Sequence, residues 1–85
     1  MLDEGQLKSQ PDATLKTLRQ DLGYSQEELG RRIGCSFRSV VEWEAGRKMP
    51  KFDNAVALAR ELNISLKTLA KVMGIDISRV PDDVL

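Results

Sequence analysis

The chain has no histidine and a single cysteine, Cys35. Without an imidazole it lacks the commonest general base and the commonest metal ligand. One thiol makes neither an intramolecular disulfide nor a zinc site, and with no histidine to activate it Cys35 is a poor candidate nucleophile. No apolar run approaches the ~18 residues needed to cross a bilayer. The opening residues Met1 to Leu7 lack both the basic segment and the apolar stretch of a secretion signal, so a cytoplasmic protein is expected. These absences argue against an enzyme, a metal or other cofactor, and a membrane role.

What remains is ordinary for a globular protein: 85 residues, 41% apolar and 31% charged, with a formal charge of zero. That length suits one domain with one modest core. The distribution of charge is less ordinary than its sum. Arg31, Arg32, Arg38, Arg47, Lys48 and Lys51 face only Glu42 and Glu44 in residues 31–51, a net +4, which leaves −4 on the rest.

Along the chain the apolar residues recur at helical spacing. Residues 1–10 are polar and aperiodic and are expected to form a flexible arm. Pro11-Asp12 offers a helix start with Asp12 as N-cap, and Leu15, Leu18 and Leu22 form one stripe that ends at Gly23. Ser25-Gln-Glu-Glu28 fits a reciprocal capping box. Leu29 and Ile33 form the buried stripe of this second helix, and Gly34 closes it. Gly30 in its middle costs ~1 kcal/mol against alanine, which makes sense if another helix backbone passes very close. Ser36 caps a third helix with Val40 and Trp43 inward and Gly46 as its stop. Two short helices joined by so short a turn cannot lie antiparallel and must cross at a large angle. A fourth helix carries Phe52, Ala55, Val56, Ala59 and Leu62. A fifth, capped by Ser65, carries Leu66, Leu69, Ala70 and Met73 and closes at Gly74. Residues 75–85 read as a tail, either a short extended segment or a docking strand. The expected architecture is all-α: an arm over 1–10, a five-helix domain over 11–74, and a tail over 75–85.

With Val40 and Trp43 inward, the third helix turns Phe37, Arg38, Val41, Glu42 and Ala45 outward. A surface helix would usually carry mostly charge there. A ring, a guanidinium and small side chains are instead what base edges in a major groove accept. Arginine pairs with guanine O6 and N7, and apolar groups meet thymine methyls. The helix start adds N–H groups and a positive dipole end suited to phosphate.

Leu18-Arg19, Gly23-Tyr-Ser-Gln-Glu-Glu-Leu29, Ile33-Gly34, Ser36, Val40, Trp43-Glu44, Gly46, Pro50 and Asn63-Ile-Ser-Leu66 together resemble the Cro/phage-repressor-type (xenobiotic-response-element, lambda-repressor-like) helix-turn-helix family. The resemblance runs from Leu15 to about Leu69. It implies a double-stranded DNA-binding transcriptional regulator, a repressor acting at an operator. By position it implies that Gln26 and Ser36 touch phosphate, and that Phe37, Arg38 and Glu42 face base edges with Ser39 and Val41 at the border. Arg47, Lys48 and Lys51 become phosphate clamps, and Arg19 with Glu44 an inter-helix ion pair. Glu42 departs from the basic or amide residue common there; it must accept from cytosine N4 or repel phosphate. So small and neutral a unit is expected to bind as a homodimer on half-sites roughly 34 Å apart. Met73, Ile75, Ile77, Val80, Val84 and Leu85 are the candidate dimer surface. The residues leave two alternatives open, an antitoxin that also grips a toxin protein and an interaction adaptor that has lost DNA binding.

Overall fold

The computed structural model describes residues 13–81. Among these residues the chain is all-helical: α1 (Leu15–Asp21), α2 (Gln26–Ile33), α3 (Phe37–Glu44), α4 (Phe52–Leu62) and α5 (Leu66–Val72). The expected arm and the last four residues, with Val84 and Leu85, lie outside the described residues.

Each helix contributes to one core. Leu15 comes from α1, Leu29 from α2, Val40 and Trp43 from α3, Leu58, Ala59 and Leu62 from α4, and Leu69 from α5. α3 packs on α2 and α1, α4 on α2, and α5 on α4. The third helix therefore lies on the first two, with its Val40–Trp43 side inward and its opposite side outward.

Local chemistry sets the boundaries, not always as the spacing predicts. The cap of α1 is Thr14, whose hydroxyl accepts from Thr17 N while Thr17 Oγ1 accepts from Thr14 N at 2.8 Å. Asp12, expected in that role, lies outside the described residues. Ser25 does cap α2, accepting from Glu28 N at 2.9 Å. The other half of the box is not made: the Glu28 carboxylate instead pairs with Arg31 and Arg32 one turn on. A guanidinium outcompetes a backbone N–H for a carboxylate because both partners then carry charge.

The end of α2 explains Gly30. Gly34 takes a left-handed φ of 80°, and the chain folds back so that Cys35 N donates to Gly30 O at 2.8 Å. This six-to-one closure brings the turn's own backbone against the glycine. A Cβ there would sit 2.8 Å from Cys35 O and 3.2 Å from Ser36 O. The close neighbour is thus the turn into α3, rather than the body of another helix. Cys35 Sγ, half-buried, donates to Asn54 Oδ1 at 3.3 Å and ties the same turn to α4.

Several apolar residues assigned to stripes face solvent. Leu22 lies past the end of α1 and is exposed; Phe52 at the start of α4 is 76% exposed, and Leu66 at the start of α5 is exposed too. First- and last-turn positions of short helices overhang the core. Leu58, absent from the expected α4 stripe, is fully buried, because that helix is covered over a wider arc than a single i, i+3, i+4 row. The tail forms no strand across the described residues 75–81. It makes a turn, with Val80 N donating to Ile77 O and Ser78 N to Asp76 Oδ1.

Gly30→Ala separates packing from propensity. Alanine is worth ~1 kcal/mol over glycine in a helix interior, yet overpacking against backbone costs ~1–3 kcal/mol. The substitution is expected to lower stability in urea unfolding; an equal or higher midpoint contradicts the close approach.

Candidate nucleic-acid interface

The outward side of α3 begins at its cap. Ser36, extended at φ −74°, accepts from Ser39 N at 3.2 Å, which leaves the first N–H groups of the helix pointing outward. Phe37 and Arg38 occupy the first turn, both exposed, with Phe37 at 46%. Ser39 and Val41 are half-buried at the margins, and Ala45 is exposed. A ring and a guanidinium thus stand free at the leading end of the helix.

The position of α3 depends on a polar network at its other end. Glu44 accepts from Arg19 Nε at 2.5 Å and from Arg19 Nη2 at 3.1 Å, a two-pronged pair. Both side chains are nearly excluded from water, 8% exposed for arginine and 6% for glutamate. Arg19 Nη1 also donates to Tyr24 O at 2.8 Å, and Gln26 Nε2 to Glu44 Oε1 at 3.0 Å. α1, α2 and α3 therefore meet at one carboxylate, and the α1–α2 loop joins them through the Arg19 guanidinium. Gln26, expected at phosphate, spends one amide hydrogen on this network and has a second to donate outward.

The basic cluster divides. Arg31 pairs with Glu28; Arg32 pairs with Glu28, approaches Glu61 at 3.6 Å and lies over the Tyr24 ring at 4.3 Å. Arg31 is thus paired within α2, and Arg32 ties α2 to α4 and to the Tyr24 ring. Arg38, Lys48 and Lys51 have no ion-pair partner among the described residues. Lys51 is the N-cap residue of α4 and supplies no side-chain cap; in the first turn the Asp53 carboxylate accepts from Asn54 N at 2.8 Å.

Glu42 answers its own anomaly. Arg47 Nε donates to its carboxylate at 2.7 Å, and the backbone N–H groups of Arg47 and Lys48 donate to its carbonyl at 3.0 and 3.4 Å. The Arg47 bond holds the carboxyl below the ordinary glutamate range; desolvation opposes this, while the charges of Arg47, Lys48 and Arg38 reinforce it. The negative charge on this face is thus neutralised within the chain.

Two short helices joined through Gly34–Ser36, the second presenting a free first turn, decide the fold type, and the helix-turn-helix family profile matches residues 15–69. The chain belongs to the helix-turn-helix family. No curated protein and no solved structure matches it. Helix-turn-helix proteins of this Cro/C1 type are DNA-binding regulators, and α2 and α3, joined through Gly34–Ser36, are the helix-turn-helix pair. No helix among the described residues is long and apolar enough to cross a membrane.

Two outcomes follow for this helix-turn-helix unit. Glu44→Ala leaves the Arg19 guanidinium buried without its partner and is expected to cost ~3–5 kcal/mol in urea unfolding; a loss within the surface-pair range of ~1 kcal/mol contradicts the network. The Glu42 carboxyl, lowered in the folded state, contributes stability that is present above the unfolded glutamate pKa and is lost as pH falls through the folded value. Its side-chain NMR titration is expected to have a midpoint below that of an ordinary glutamate and to return toward it in Arg47→Ala; identical midpoints contradict the pairing.

Proposed function

We propose that this protein is a sequence-specific transcriptional regulator, a repressor that occupies its operator as a homodimer. The observation that carries the reading is the exposed Phe37–Arg38 turn leading a helix whose inner side is anchored by Val40, Trp43 and the Arg19–Glu44 pair. Arg38 is the base reader, pairing with guanine, and Phe37 meets a thymine methyl or shields the backbone. Ser39 and Val41 border that contact. Gln26, Ser36, Arg47, Lys48 and Lys51 take phosphates on either side of the groove.

A single unit of this size buries too little surface for tight and selective binding. Support for pairing comes from an apolar groove of about 190 Å³ between α4 and α5, lined by Met49, Pro50, Phe52, Leu66, Met73 and Ile75 among others. Ile75 in its lining and Val80 beyond it are exposed. Two copies joined there present two α3 helices to half-sites about one turn of duplex apart.

Selection from mixed duplex fragments, followed by binding across a salt series, tests the reading. The wild type is expected to enrich particular sequences and to weaken steeply as salt rises. Arg38→Ala is expected to cost ~1–3 kcal/mol and to relax preference at one base pair. Weak, unselective binding at ~50 mM salt favours a protein-interaction role instead. Sedimentation of the full chain is expected to report a dimer, and a chain ending at Gly74 a monomer; a dimer of the shortened chain removes the tail from the interface.

A further inference from the structure

We infer that Glu42 is a positioning residue: it aims the Arg47 guanidinium at the duplex backbone and does not itself read a base. The inference rests on the DNA-binding reading above and concerns how that face divides its labour.

Three contacts converge on this glutamate from the loop that follows α3. Its carboxylate takes Arg47 Nε at 2.7 Å, and its carbonyl takes the N–H groups of Arg47 and Lys48. The loop 47–48 is therefore fastened to the last turns of α3 through one residue. Exposure separates the two partners. The Glu42 side chain is only 18% exposed, whereas that of Arg47 is 62% exposed. A base reader has to present its polar atoms to the groove, and this carboxylate is largely covered by the chain that it holds. The guanidinium has five N–H donors in a rigid fork. With Nε engaged by Glu42, its terminal nitrogens project outward with their direction set.

Pairing also settles the electrostatics. An unpaired carboxylate beside Arg38 and Lys48 would weaken the attraction of this face for phosphate. Bound to Arg47 it forms a neutral unit whose exposed part is cationic. Holding the guanidinium in place also lowers the side-chain entropy lost when it meets a phosphate.

The test compares Glu42→Gln with Glu42→Ala. Both remove the same charge, but glutamine keeps an oxygen that accepts from Arg47 Nε. Affinity for the duplex selected by the wild type is measured over a salt series for each, alone and with Arg47→Ala, and base preference is scored by reselection. Thermal unfolding checks that every variant is folded. Glu42→Ala is expected to bind several-fold more weakly than Glu42→Gln, with the difference vanishing when Arg47 is alanine. Arg47→Ala is expected to lower the salt slope by about one. Base preference is expected to stay the same throughout. Equal affinities of the two Glu42 variants, a difference that persists without Arg47, or a changed base preference at one position overturns the inference while leaving DNA binding intact. Failure of the wild type to bind any duplex overturns both together.

Discussion

A glutamate and an arginine excluded from water hold this fold in the form that its surface needs. Desolvating two charges is costly, and only good geometry with further hydrogen bonds offsets it. Here the pair is two-pronged, and each member has another partner: Tyr24 O for Arg19 and Gln26 Nε2 for Glu44. An apolar core alone tolerates small rotations of a short helix, since its forces have little direction. The forked pair fixes α3 against α1 and α2 in one orientation. The direction in which Phe37 and Arg38 point follows from that, two turns away from the anchor.

A protein of zero net charge would be a poor ligand for a polyanion if its charges were spread evenly. Here intramolecular pairing sorts them. Arg31 and Arg32 are taken up by Glu28, Glu61 and the Tyr24 ring, and Glu42 is taken up by Arg47. Around α3 this leaves Arg38, Lys48, Lys51 and the outer part of Arg47 as the effective charge. Local field matters more than total charge for binding at short range, where salt screens the remainder within about 10 Å.

Much of this was legible in the residues alone, for identifiable reasons. Ser25, Ser36 and Ser65 announce helix starts because a short hydroxyl side chain bonds the N–H three residues on. Gly23, Gly34, Gly46 and Gly74 all take positive φ at helix ends. The ordered run from Gln26 to Gly46 marked the helix pair, and Arg19 with Glu44 met as expected. The misses are equally physical. Thr14 capping through Thr17 is a weaker pattern than an Asp after proline, and Glu28 had two arginines competing for it. Leu22, Phe52 and Leu66 have the right spacing but sit at helix ends that overhang the core. Leu58 was lost because one stripe understates a helix covered on more than one side. The Glu42–Arg47 link spans a turn whose path no periodicity predicts, so its carboxylate read as a departure when it was already paired.

The most direct test of the central claim is a backbone amide NMR titration with the duplex that the protein selects. Orientation of α3 by the buried pair predicts the largest shifts at Ser36 to Ser39, with smaller ones at Gln26 and residues 47–51, and little change at Leu58 or Leu62 in the core. Shifts centred on α5 and the turn after it, with Phe37 and Arg38 unmoved, would contradict it.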